Sequence, residues 1–126
     1  MNEKRYLTFQ DLSSYKKSYS LSNHIWEIVV RWDYLAKDTV GKQLVRSVDS
    51  ISVNIAEGFG RYHKKDKIKF YYNSRASTFE ALDWLEKAKD RKLVTGNEFT
   101  KIHSTLVELP KEINKLIKFT DSKLTI

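Results

Sequence analysis

Apolar residues recur along most of this chain at spacings of three and four, and nowhere does a sustained two-residue alternation replace them. The pattern therefore predicts helices and no strands. Its sharpest stripe is Leu44, Val48, Ile51, Ile55 and Phe59, spaced by four, three, four and four, which predicts one helix from about Thr39 to Arg61. Upstream, Asp11 to Leu35 reads as a helix with two stripes, Leu12, Tyr15, Tyr19, Trp26, Val29 and Leu21, Ile25, Ile28, Trp32, Leu35. A helix in a single four-helix core needs only one apolar face, so the second stripe predicts a contact between copies of the chain, with Tyr15, Trp26 and Trp32 in it. A third helix is expected from Lys65 to Arg91, with Ile68, Tyr72, Phe79, Leu82 and Leu85 inward. The fourth, residues 96–119, carries Phe99, Ile102, Leu106, Leu109, Ile113 and Leu116. Pro110 interrupts that stripe and removes one backbone hydrogen bond, so a kink is expected near Leu106.

The boundaries carry their own signals. Thr95-Gly96-Asn97-Glu98 fits the reciprocal cap T-x-x-E, flanked by Val94 and Phe99 as an apolar staple. His63, before the third helix, is a poorer cap. Gly58 and Gly60 are expected to end the second helix and to let chains approach closely. Short connections make neighbouring helices antiparallel, so the expected fold is all-α, an up-down-up-down antiparallel four-helix bundle forming a single domain over residues 1–126. The tail from Thr120 to Ile126 is expected to fray.

The polar residues beside the second stripe invite a structural reading. With the turn centred near His63, antiparallel pairing sets Arg46 level with Glu80, Ser50 with Ala76 and Asn54 with Tyr72. An Arg46–Glu80 ion pair across the helices is expected, fixing register more than adding stability. Ser47, Ser50 and Ala76 are small enough for close helix packing.

Charge changes the picture at one place. The chain has 126 residues and a formal net charge of +7, a balance that suits an anionic partner. Residues 63–93 hold nine cations against five anions. Arg61, His63, Lys64, Lys65, Lys67 and Lys69 crowd the turn with Asp66 opposing, at a helix start whose dipole disfavours cations. Arg61, Lys64, Lys65, Lys67 and Lys69 are thus candidate contacts to nucleic acid. Lys87, Lys89, Arg91 and Lys92 sit where cations suit a helix C-terminus and need no such role.

Other chemistry finds little support. No cysteine occurs, which removes disulfides and thiolate metal sites and fits a reducing cytoplasm. Met1-Asn2-Glu3-Lys4-Arg5 leads into a polar stretch without the apolar core of a signal peptide, and no run approaches a membrane span. His24, His63 and His103 lack ligand spacing, leaving Glu57 and Glu80 as the best inward carboxylates for a di-iron site, too few to build one. Gly58-Phe59-Gly60-Arg61 follows no strand and is not a phosphate loop. No enzyme activity, metal or cofactor is expected.

The segment from Gln43 to Arg61, Q-L-x-R-S-x-x-S-I-x-x-N-I-A-E-G-x-G-R, resembles the signature of the four-helix-bundle family of proteins encoded in intervening sequences of bacterial 23S ribosomal RNA genes. Residues 71–82, an aromatic run followed by small-Ser-x-x-Glu-x-x-hydrophobic, resemble that family's second motif. The similarity spans roughly Phe9 to Phe119. It implies that Gln43, Arg46, Ser50, Asn54, Glu57, Gly58, Gly60, Arg61, Ser77 and Glu80 are motif residues serving the architecture. The family includes the accessory variability determinant of diversity-generating retroelements, whose relatives form barrel-like pentamers that bind nucleic acid and associate with a reverse transcriptase. The resemblance therefore implies a homopentamer, with RNA, DNA or a reverse transcriptase as partner. The reading of the residues leaves open a purely structural or protein-interaction module whose basic residues only keep it soluble.

Overall fold

The computed structural model describes residues 7–124. Four long helices occupy them: α1 Ser13–Val29, α2 Lys42–Gly60, α3 Lys64–Asp90 and α4 Gly96–Lys123. No strand occurs among the described residues. One 3₁₀ turn, Phe9–Asp11, precedes α1. Residues 1–6, whose polar character was read as unlike a signal peptide, and residues 125–126 of the expected frayed tail lie outside the described residues. The rest of that tail is helical to Lys123, with Thr120 buried.

The first helix ends six residues earlier than its stripes predict. Arg31 and Trp32 form a turn, and Asp33 then caps a new helical start at Tyr34–Ala36, its carboxylate accepting from the Ala36 amide at 3.0 Å. A carboxylate free to bond backbone amides favours a cap over a helix interior. Leu35 consequently belongs to the approach to α2 and is exposed. A π-helical turn, Lys37–Gly41, joins that approach to α2. Gly41 is required there: a Cβ would lie 2.6 Å from Val29 Cγ1.

The α2 stripe holds at four of its five positions, with Leu44, Val48, Ile51 and Ile55 fully buried and Phe59 half-buried at the helix end. On α4, Ile102, Leu106, Leu109 and Ile113 are buried, and the helix assignment runs unbroken through Pro110. Its start carries the full reciprocal cap. The Glu98 amide donates to Thr95 Oγ1 at 3.1 Å and the Thr95 amide donates to Glu98 Oε1 at 2.8 Å. Val94 and Phe99 pack on the core beside it.

The third helix differs from expectation. Its buried face is Tyr71, Ser74, Thr78, Ala81, Leu85 and Ala88, whereas Tyr72 and Phe79 point outward. Ile68 and Leu82 are half-buried. The true stripe is made mostly of small residues, because α2 and α3 approach closely. A Cβ on Gly58 would stand 2.7 Å from Tyr71 Cε1 and 3.0 Å from the Lys67 carbonyl oxygen. Ser74 Oγ donates to the Ile51 carbonyl at 2.8 Å and sets 51 opposite 74. That register lies within one residue of the expected one.

In the contacts between helices, α1 packs on α2 and α4, and α3 also packs on α2 and α4. Arg75 Nη1 donates to Asn114 Oδ1 at 2.8 Å and Lys64 reaches Asp121, tying α3 to α4. Lys17 bridges Glu112 at 3.3 Å and Glu108 at 3.7 Å, tying α1 to α4.

Candidate functional site

The turn between α2 and α3 gathers the five candidate cations at one end of the molecule. α2 stops at Gly60, Arg61 takes an extended conformation, and His63 occupies the N-cap of α3 without a side-chain cap bond. Most of the cations are engaged. The Lys67 amine donates to the Phe59 carbonyl at 2.7 Å, satisfying one of the open carbonyls at the end of α2, and lies 5.4 Å from the Phe59 ring centre. Partial burial lowers its pKa from the usual lysine value. Arg61 lies 3.4 Å from Glu57 and 4.6 Å over the Phe70 ring. Lys64 donates to the Asp121 carbonyl at 3.2 Å and stands 3.7 Å from its carboxylate. Lys65 and Lys69 are exposed and have no such partner among the described residues. His63, Lys64, Lys65 and Asp66 line an open hollow of about 480 Å³.

The motif residues divide by depth. Gly58 is buried against α3, and Gln43, Ser50, Asn54 and Ser77 are half-buried. Their polar atoms mostly serve their own helices: Ser50 Oγ donates to the Arg46 carbonyl, Asn54 Nδ2 to the Ser50 carbonyl and Ser77 Oγ to the Asn73 carbonyl. Arg46, Glu57, Gly60, Arg61 and Glu80 are exposed.

The expected Arg46–Glu80 pair is not made. Both side chains point outward, and among the described residues neither has an ion-pair partner. Residues level in register pair only if their side chains also turn toward the seam, and 46 and 80 lie on the outer arcs of their helices. The register is held instead by the Gly58 approach and the Ser74 bond.

Of two further surfaces, the first was missed by the sequence reading and the second was expected in part. Between α1 and α4 a groove of about 370 Å³ is lined by Lys16, Lys17, Ser20, His24, Lys101 and Glu108, among others. Charge counted by segment conceals it, because its cations come from two helices far apart in sequence. Between α1 and α2 lies an apolar groove of about 240 Å³, walled by Trp26, Val29, Val30 and Val45 and edged by Lys37, Lys42 and Arg46. Of the residues expected at a contact between copies, Trp26 is exposed in this groove, whereas Tyr15 and Trp32 are half-buried against the core. No cluster of three His, Cys, Asp or Glu with metal-binding geometry occurs among the described residues, and no helix there is long and apolar enough to cross a membrane.

Four helices around one apolar core, with polar and charged residues covering the outer arcs, place the chain among all-α helical-bundle proteins. It belongs to the 23S rRNA-intervening sequence protein family, whose model matches residues 10–115. The fold is similar to the 1.70 Å crystal structure of a protein with unknown function from the S23 ribosomal protein family of Bacteroides thetaiotaomicron VPI-5482. That match has a TM-score of 0.74 and 23% identity, and covers 83% of this chain and 98% of the other. No curated protein matches the chain.

Proposed function

We propose that this is a non-enzymatic bundle protein, its helices running up-down-up-down, that assembles with copies of itself and presents its basic ends to RNA or DNA. The topology is supported by contacts whose numbers run oppositely on neighbouring helices, such as Ile51 with Ser74 and Gly58 with Lys67. The observation that carries the binding reading is the basic turn, where exposed Lys65 and Lys69 flank a hollow shared with Lys64. One such turn neutralises few phosphates. Copies held in a ring, a pentamer by family resemblance, would act together at high effective concentration.

The test is binding of labelled RNA and duplex DNA across a salt series, since phosphate neutralisation makes affinity fall steeply as salt rises. Replacing Lys64, Lys65, Lys67 and Lys69 by glutamine should abolish binding. Glutamine at Lys87, Lys89, Arg91 and Lys92 removes equal charge and should spare most of it. Equal loss in both variants would reduce the site to diffuse charge.

A second reading, a structural or protein-interaction module without nucleic-acid binding, is favoured by the partners that Arg61, Lys64 and Lys67 already have. It predicts no binding by the parent protein at any salt concentration.

A further inference from the structure

The outer surface of the bundle carries two exposed apolar features, on different helices. One is the groove between α1 and α2, where Trp26 is 58% exposed and Val30 42%. The other is a ridge on α3. Tyr72, Ala76, Phe79 and Asp83 follow one another at spacings of four, three and four, and all are exposed, Phe79 by 57%. Phe79 is continuous on this ridge with Ala76 and Tyr72, and a contiguous exposed apolar patch, unlike a lone exposed side chain, marks a surface of contact.

The two features are complementary in charge and matched in height. Lys37, Lys42 and Arg46 edge the groove, while Glu80 and Asp83 flank Phe79 on the ridge, with Glu86 one turn on. Lys42 and Asp83 have local partners, Asp38 and Lys87, but exposed pairs within one helix are worth little and exchange readily. Arg46 and Glu80 have none among the described residues. Height follows from the register: Ile51 stands opposite Ser74, so Arg46 is level with Phe79, five residues along each helix in the opposite sense.

We infer that the α1–α2 groove of one copy receives the α3 ridge of the next, with Phe79 entering beside Trp26 and Val45 and with Glu80 facing Arg46 of the neighbouring copy. The inference rests on the self-assembly proposed above and assigns its surface. Groove and ridge are different patches, so the contact is head-to-tail. Because they lie at one height, successive copies are not displaced along the helices, which is what a ring requires of a head-to-tail contact, and the assembly closes where the turn per copy divides a full circle. The Arg46–Glu80 attraction expected within the chain is thereby made between chains.

Sedimentation velocity on the purified full chain, with helicity checked by circular dichroism, tests this. The parent should be an oligomer at micromolar concentration. Trp26→Asp spoils the groove and Phe79→Lys the ridge, so each should be monomeric, whereas Tyr62→Ser, exposed elsewhere, should leave the oligomer intact. Mixing the two monomeric variants leaves one good groove and one good ridge, and should give a species of two chains and no larger. Arg46→Glu and Glu80→Arg should each weaken assembly at least tenfold and together restore it, which keeps the test standing if an aromatic replacement misfolds. An oligomeric parent whose groove and ridge variants also assemble would overturn this interface and leave self-assembly standing. A mixture that stays monomeric would overturn the head-to-tail arrangement, and a monomeric parent would overturn both readings and leave the groove to another partner.

Discussion

Helices α2 and α3 pack against each other along nearly their whole length, yet they bury opposite kinds of surface. α2 contributes Leu44, Val48, Ile51 and Ile55, whereas α3 contributes Ser74, Thr78, Ala81 and Ala88 alongside two large residues, Tyr71 and Leu85. One helix fills the core and the other lets it come close. Burial on α2 follows apolar area, so hydrophobic transfer dominates its contribution. On α3 it follows size. Small side chains and the missing Cβ of Gly58 bring the axes together, and dispersion across a tight seam replaces large-residue burial. The bulky apolar residues of α3 are left outside, where another surface can use them.

The largest effect expected from this contrast is at the filling helix. Ile51→Ala removes a fully buried side chain from the centre of the core and should cost about 2–5 kcal/mol, the lost transfer energy plus the cavity it leaves. Urea unfolding at fixed protein concentration measures it. A loss below 1 kcal/mol would show that the core collapses around the gap and that α2 is not the filling helix.

The close-approach side is probed by glycine. Gly58→Ala puts a methyl 2.7 Å from the Tyr71 ring and 3.0 Å from a backbone carbonyl, and should destabilise by about 1–3 kcal/mol despite the better helix propensity of alanine. Gly60→Ala meets nothing within 4 Å and should be neutral or slightly stabilising. The pair forms a matched control, since both sit in the last turn of the same helix. Equal effects would mean that the seam yields.

Tyr71 offers a pH handle on the same seam. Its side chain is 1% exposed, and burial pushes the phenol up to about 12, partly opposed by a hydrogen bond with Thr120. A phenol whose folded pKa is raised contributes stability in full below its unfolded value near 10, and loses it as pH rises toward the folded value. The parent should therefore lose about 1–2 kcal/mol more than Tyr71→Phe between pH 10 and 12, after discounting for solvent screening. Thermal melts of both proteins through that window decide it, and parallel curves would place the phenol in contact with water.

Legibility in the sequence followed the same division. The α2 and α4 stripes, the end of α2 at Gly60 and the Thr95–Glu98 cap were readable, because large apolar residues and a capping box report directly on burial and on backbone need. The α3 stripe was misassigned by one position. Hydrophobicity ranks Tyr72 and Phe79 above Ser74 and Ala81, and only the closeness of the partner helix reverses that order. The end of α1 was overrun because a stripe through Trp32 and Leu35 persists across the Asp33 cap. The candidate turn was readable as a charge cluster, but not the Asp121 and Phe59 groups that occupy Lys64 and Lys67, since those come from other helices, whereas Glu57 lies four residues before Arg61 and was within reach of the sequence. Arg46 and Glu80 were placed at the right height and the wrong azimuth, for register fixes only the first.

The smallest expected effect is the sharpest test of what the seam is made of. Ser74 is buried, and its hydroxyl donates to the Ile51 carbonyl at 2.8 Å, a carbonyl whose helical position also lets it accept from the backbone four residues on. Ser74→Ala removes the donor without stranding that acceptor, so it should cost about 1 kcal/mol, the net value of one such bond. Ser74→Val keeps the burial, loses the same bond and adds a branched carbon where α2 and α3 touch, so it should cost more than Ser74→Ala. If valine proves the milder replacement, the seam has slack and apolar area governs α3 as it governs α2. If alanine is milder, size decides which face of α3 is buried, and the outward turn of Tyr72 and Phe79 follows from the packing of its other side.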